Sequence, residues 1–315
     1  MVSICIPIYN FDVQDLVKDL HQQGVDLKIV FEIVCLDDGS TENFKKANRN
    51  IQQLPHVRYE ELAKNLGRSK IRNQLGKIAR FPYLIFMDCD SATVSPFYLQ
   101  NYCQNLPLPQ KSGKGQANTE TPNIHLPVLL YGGRVYDENP PAQPSHYFHW
   151  LYGSRREQMP AEIRQIKPHH AFMTNNFLIP KSIFLEIQFD ESLTQYGHED
   201  TLFGLELKKR QIPIIHLDNP LKHIGLETTA VFLQKTDMAL QNLYYLNQKS
   251  AVIESRLLRI LKICERFGLT PLLGWIFRLL EQKIIANFHT QRPNLTLFDF
   301  YKLGRIANLK KGKKS

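Results

Sequence analysis

The chain of 315 residues contains no CxxC pair, and its five cysteines (Cys5, Cys35, Cys89, Cys103, Cys264) are far apart and odd in number. That excludes a disulfide framework and a thiolate metal cluster, and predicts reduced thiols in a cytosolic protein. No stretch approaches the roughly 18 uncharged apolar residues of a membrane span. The best one, residues 271–280, is interrupted by Arg278. No basic residue precedes the apolar start Val2-Ser3-Ile4-Cys5-Ile6, so a strand is expected there rather than a secretory leader. Excess charge is also missing from most of the chain. Residues 1–249 hold 26 basic and 26 acidic side chains, whereas residues 250–315 hold 13 and 4, so the net charge of +9 belongs to the last 66 residues. A nucleic-acid-binding body would carry a basic main domain, so that class is excluded. The basic C-terminal region instead suggests contact with something anionic.

At 43% hydrophobic and 22% charged residues, the chain can bury a substantial core. Short apolar runs alternate with helical spacing: Val2–Ile8, then Asp12–Gln23; Ile29–Leu36, then Glu42–Leu54; His56–Glu61, then Ser69–Ala79; and Tyr83–Met87. Fully apolar strands between helices predict an α/β fold with a mostly parallel sheet covered on both faces. In such sheets ligands sit beyond the carboxyl ends of the strands. Pro7-Ile8-Tyr9-Asn10, Asp37-Asp38-Gly39-Ser40 and Asp88-Cys89-Asp90-Ser91 all fall there. Residues 106–127, rich in Pro, Gly, Ser and Asn, are expected to form a mobile loop. Residues 128–136 and Ala171–Pro180 read as strands, His146–Arg156 reads as an aromatic helix, and the chain is expected to be almost wholly helical from Thr229 onward.

Several clusters can carry chemistry, and each also has a plain structural reading. Asp88 and Asp90, one residue apart after a buried strand, suit a hard divalent cation such as Mg2+ or Mn2+ bridging to a diphosphate, or else simply cap the strand. Asp37 and Asp38 can accept a base N–H, or shape a strand–turn–helix connection. Arg72, in Asn65–Asn73, can reach a base, ribose or phosphate, or lie on a solvated basic face. Glu199 and Asp200 open a helix, where acids stabilise free N–H groups, and a carboxylate there can also act as a general base. His223 is either structural or a further metal ligand beside the two aspartates.

In this order, the segments SICIPIYN, LDDGST, NLGRSKIRN, FMDCDS, TNNFLIPKSIF and YGHEDTLFGLELKKRQIPI resemble family 2 glycosyltransferases of the GT-A fold, over about residues 2–230. The stretch TNNFLIPKSIFLEIQFDESLTQYGHED is similar to the acceptor half of bacterial members, including chondroitin-type synthases, and NPLKHIGLE is similar to bacterial polysaccharide-assembly enzymes. The resemblance implies a Rossmann-like GT-A domain over 1–230 and a helical basic extension over 231–315. Within that domain, 1–105 would be the nucleotide-sugar half and 128–230 the acceptor half. Pro7 and Tyr9 would line the base pocket, Asp37 would bond a uracil-like base and Asp38 would support that turn. Arg72 would touch the nucleotide and Asp88 the ribose or donor sugar. Asp90 would hold Mn2+ or Mg2+ on the diphosphate, with His223 as a further ligand. Asp200 would be the catalytic base and Glu199 would orient the acceptor. The implied reaction is inverting transfer from a nucleotide-sugar, a UDP-sugar by this resemblance, to a saccharide or glycolipid acceptor in surface polysaccharide or lipopolysaccharide synthesis. Many relatives have Trp-Gly-Gly before the Glu-Asp pair, where this chain has Tyr196-Gly197-His198.

Two rivals remain at this level. A nucleotidyltransferase would show a Gly-rich phosphate loop near the N-terminus, which is missing. A non-catalytic sugar-nucleotide-binding subunit would not need Asp88, Asp90 and Asp200 intact. In the C-terminal region Ile253, Leu257, Leu261 and Cys264 share one helical face, with Arg259, Lys262 and Arg266 on another. That pattern fits peripheral contact with an anionic membrane at its cytoplasmic face, or equally packing on the catalytic domain or a second subunit in a homo-oligomer. Deleting residues 306–315 is expected to weaken membrane binding and spare donor chemistry.

Overall fold

Val2, Ile4, Ile6 and Ile8 face one core and Cys5 faces another, so the first strand is apolar on both sides. The computed structural model describes residues 1–106, 128–193, 196–248, 253 and 255–309. The elements run β1 (Val2–Ile8), α1 (Gln14–Asp26), β2 (Phe31–Asp37), α2 (Glu42–Asn48), β3 (Val57–Glu61), α3 (Arg68–Ile78), β4 (Tyr83–Met87), β5 (Ser91–Thr93) and α4 (Tyr98–Gln104). They continue through β6 (Leu129–Tyr131), β7 (Arg134–Val135), α5 (Tyr147–Tyr152), α6 (Ala161–Gln165), β8 (Asn176–Pro180), α7 (Lys181–Ile187), α8 (Glu199–Lys209), β9 (Ile214–His216) and β10 (Leu221–His223). Four helices follow: α9 (Thr229–Gln248), α10 (Arg256–Arg266), α11 (Thr270–Phe288) and α12 (Leu295–Leu309).

A seven-stranded sheet has the order β3-β2-β1-β4-β8-β6-β9. The pairs β1/β2, β2/β3, β1/β4 and β6/β9 are parallel, and β8 runs antiparallel to both neighbours. This is an α/β, GT-A-type arrangement. The alternating side chains of β1, β2 and β4 divide between two cores. Val2, Ile4, Ile33, Ile85 and Met87 pack with α1 and α4 residues such as Leu16, Leu20, Tyr98 and Tyr102. Cys5, Val34, Leu36, Leu84 and Phe86 pack with Ile71 and Leu75 of α3 and Phe184 of α7. The strand order reverses at β1, between β2 and β4, and the carboxyl ends there form the crevice where ligands of such sheets bind.

The described chain gathers into two compact units: Met1–Arg134, Met159–Phe189 and Phe203–His223 form the first, and Val135–Gln158, Asp190–Leu202 and Ile224–Ser315 form the second. The second has its own aromatic core, in which Phe148, Phe277, Phe288, Phe298 and Tyr301 meet. A smaller cluster joins Leu243, Leu258, Leu261, Ile306 and Ala307.

Two expectations are corrected. The single helix expected over Glu42–Leu54 stops at Asn48 and becomes a tighter helical turn over Arg49–Gln53. Asn48 is turned inward there, accepting from the Val13 N–H at 3.0 Å and donating to the Phe11 carbonyl at 2.8 Å. The strand expected over 128–136 is broken by Gly132 and Gly133, the latter with φ +92°. Within the segment 306–315, Ile306 and Ala307 are buried in the second unit. The loop of residues 106–127 lies outside the described residues except for Leu106, and the terminal lysines, Lys310 onward, lie outside them altogether.

Candidate active site

Asp37 ends β2, and Gly39 allows the turn that follows. Gly39 has φ +75°, and a Cβ there would stand 2.7 Å from the Lys64 backbone, so both the conformation and the space call for glycine. The Asp37 carboxylate is wholly buried, accepting from the Ser40 N–H at 2.7 Å and the Tyr59 hydroxyl at 3.1 Å. A base could reach it only by displacing one of these bonds. Asp38 accepts from the Leu66 and Gly67 N–H groups at 2.6 and 3.1 Å and so fixes the loop that opens α3. Burial raises its pKa; these two bonds oppose the rise and the Asp37 charge adds to it. The end of β1 is tied to the same turn, because the Asn10 N–H donates to the Ser40 hydroxyl at 2.8 Å. Pro7 pairs with Leu36 in the sheet, and Tyr9, just beyond β1, is exposed.

Asp88 follows β4 and sits between two guanidinium groups. Arg72 of α3, 2% exposed, donates to one oxygen at 2.6 Å, and Arg134 donates to the other at 3.0 Å. Charge-assisted bonds of this kind are the strong ones. Two arginines on one carboxylate leave Asp88 poorly suited to ligate a cation. The Arg72 Nε–H is buried without a hydrogen-bond partner. Arg134 was not among the residues singled out in the sequence, although the Gly-Gly-Arg turn after an apolar run was a readable signal. Its backbone is braced: Asn176 donates to the Gly133 carbonyl at 2.9 Å, and the buried Arg164 donates to the Gly132 carbonyl at 3.3 Å.

Asp90 lies next to β5, which pairs antiparallel with β10 and so brings His223 opposite Ser91. His223 Nδ1 is 3.6 Å from Asp90 Oδ1, an ion-pair rather than a hydrogen-bond distance. Burial alone would raise the Asp90 pKa. The His223 contact, with Arg134 and Arg68 nearby, outweighs it and holds the carboxyl well below the usual range. Asp90 Oδ1 is nevertheless buried without a hydrogen bond, while 28% of the side chain remains open. An ionised carboxylate with one unsatisfied oxygen and an imidazole beside it is a donor set that fits Mn2+ or Mg2+. Among the described residues no group of three or more His, Cys, Asp or Glu could hold an ion alone. Further ligands would have to come from a bound diphosphate or water, as is usual for Mg2+. The Cys89 thiol is pushed up to about 12, chiefly by burial and then by the Asp90 charge.

Glu199 and Asp200 open α8 in the second unit. Glu199 is buried, and Asp200 Oδ1 accepts from the Thr201 N–H at 2.7 Å. The turn before them is left-handed at two successive residues, Gly197 (φ +96°) and His198 (φ +71°). Asn242 of α9 holds it by donating to the Tyr196 and Gly197 carbonyls at 3.1 and 3.2 Å. His198 therefore keeps a left-handed conformation that glycine adopts without strain. Burial lowers its pKa, partly opposed by the Glu199 charge.

The first unit thus brings Pro7, Tyr9, Asp37, Asp38, Arg72, Asp88, Asp90 and His223 to the carboxyl ends of β1, β2 and β4 and the β5/β10 sheet beside them. Residues 3–97, from β1 to the start of α4, match the family model described as Glycosyl transferase family 2, and the architecture is the GT-A fold. Two validoxylamine A glucosyltransferases of Streptomyces hygroscopicus, from the subspecies limoneus and jinggangensis, are each 26% identical, over 228 and 229 residues, or 68% of this chain. The chain spans about half the length of these curated relatives, 49% and 53%. A mannosyltransferase of Pyrobaculum calidifontis, solved with GDP-Man and Mn2+, superposes with a TM-score of 0.54 at 12% identity, covering 99% of this chain and 86% of that one. No described helix is long and apolar enough to cross a membrane.

Proposed function

We propose that the protein is an inverting, metal-dependent glycosyltransferase that moves a sugar from a UDP-sugar to a saccharide or glycolipid acceptor in surface polysaccharide or lipopolysaccharide assembly, at the cytoplasmic face of the membrane. The observation that carries this reading is the Arg72–Asp88–Arg134 cluster beside Asp90, whose Oδ1 is buried without a hydrogen bond 3.6 Å from His223 Nδ1, at the reversal point of the sheet. Charges on Arg72, Arg134, Asp88 and Asp90 cancel, so an incoming diphosphate calls for further positive charge. Asp90 and His223 would hold Mn2+ or Mg2+, and the bound ion would offset charge growing on the leaving diphosphate. Arg72, with its unpartnered Nε–H, and Arg134 orient the donor phosphates or ribose through their fixed place on Asp88. Pro7 and Tyr9 line the base pocket. Asp37 is the carboxylate offered to the base, and Asp38 fixes the loop behind it.

Asp200 is the proposed base and Glu199 orients the acceptor. The acceptor oxygen forms a bond to the anomeric carbon as the bond to the diphosphate oxygen breaks. The nucleoside diphosphate leaves with that electron pair, and the hydroxyl proton passes to the Asp200 carboxylate. One displacement inverts the anomeric centre. In this reading residues 1–230 carry the chemistry and 231–315 support it. Asp200→Asn is expected to lower transfer by about three orders of magnitude or more while UDP binding stays within about twofold. A panel of nucleotide sugars with and without Mn2+ supplies the assay, and transfer surviving in the variant would remove Asp200 from its role.

A further inference from the structure

The inner sides of α10 and α11 are fully used. Leu258 and Leu261 pack with Leu243, Ile306 and Ala307, while Phe277, Ile284 and Phe288 pack with Phe298 and Tyr301. The outer side is not polar. Across the turn joining the two helices, Ile263, Phe267, Leu269, Leu272, Trp275 and Leu279 are exposed by 52, 68, 48, 52, 53 and 61%. Six large apolar side chains, each 48% or more open, within 17 residues are far from the scattered exposed residues normal on a soluble surface. On α11, Leu272, Trp275 and Leu279 recur at spacings of three and four, so they form one stripe.

The rim of this patch is mostly basic. Arg256, Arg259, Lys262, Arg266, Arg278 and Lys283 are all exposed along the same two helices. The acids of this stretch are Glu265 and Glu281, and Glu281 is paired with Arg305 at 3.0 Å. An apolar stripe holding Trp and Phe inside a basic rim is the composition of a helix that lies in a membrane interface. A second copy of the chain is a poor fit, because a two-fold contact through this patch would oppose like charges.

We propose that the α10–α11 corner is a docking surface for an anionic lipid bilayer, with Phe267, Leu272, Trp275 and Leu279 entering the interface and the basic rim meeting the headgroups. The inference rests on the membrane-face location in the proposed function and not on the transfer chemistry, so the two fail separately.

The test uses the full chain and sedimentation with phosphatidylcholine vesicles, with and without phosphatidylglycerol. Binding is expected only with phosphatidylglycerol. Phe267→Ser/Trp275→Ser should weaken it roughly a hundredfold. Arg259→Gln/Lys262→Gln should weaken it about thirtyfold. Donor hydrolysis by the free protein should be unchanged in both. These side chains are exposed, so the variants should fold, and in a Trp150→Phe background the Trp275 fluorescence should shift to the blue on anionic vesicles. No vesicle binding, or binding indifferent to both double variants, overturns the proposal. So does a concentration-dependent dimer that Phe267→Ser/Trp275→Ser dissolves while vesicles are ignored, since a second copy would then be the occupant.

Discussion

Asp88 and Asp90 stand one residue apart and have opposite surroundings. Asp88 has two arginines and no free oxygen, whereas Asp90 has an unsatisfied oxygen beside an imidazole. Spacing alone offered both to a cation, and the guanidinium partners separate them. Arg134 is the residue that this comparison adds. Arg134→Gln leaves Asp88 to Arg72 alone in a nearly dry place. Affinity for UDP is expected to fall about tenfold, and stability by about 1–2 kcal/mol. Titration calorimetry and thermal unfolding check the two separately, and an unchanged UDP affinity would make Arg134 a purely structural residue. The Gly-Gly-Arg turn marks Arg134 in the sequence, but its partner Asp88, 46 residues earlier, is legible only in the fold.

At the scale of elements, α3 carries Arg72 and must sit close to the sheet to do so. Gly76 permits it: a Cβ there would stand 2.2 Å from the Phe184 ring of α7. Gly76→Ala forces the helix or the ring to move, at a cost of about 1–3 kcal/mol, and should lower the melting temperature by several degrees. UDP affinity should fall with it if α3 is displaced. The strands β1 and β4 match their sequence-based bounds because they are short, apolar and bounded by turn residues. The expected helix over Glu42–Leu54 and strand over 128–136 were less legible. Asn48 leaves the helix to bond the Phe11–Val13 backbone, and Asn176 takes the Gly133 carbonyl, and no local periodicity records either contact.

For the whole molecule, the basic region is not one feature. Its last lysines lie beyond the described residues, while Ile306 and Ala307 belong to a core. A chain ending at Leu309 is expected to keep its melting temperature. One ending at Arg305 loses Ile306 and Ala307 and should be destabilised by about 3–5 kcal/mol, visible as a lower urea midpoint. Equal stability of the two would show that this cluster is not cooperative with the rest. Strand–helix alternation, the neutral body, the basic end and the acidic strand ends were set by local sequence, because periodicity and turn chemistry act over a few residues. Tertiary structure alone decided which carboxylate is clamped and which stays open. It also decided that His223 meets Asp90, and that the α10–α11 corner keeps apolar side chains in water. Each of these depends on partners distant in the chain, and burial, charge pairing and exposure are fixed only when those partners meet.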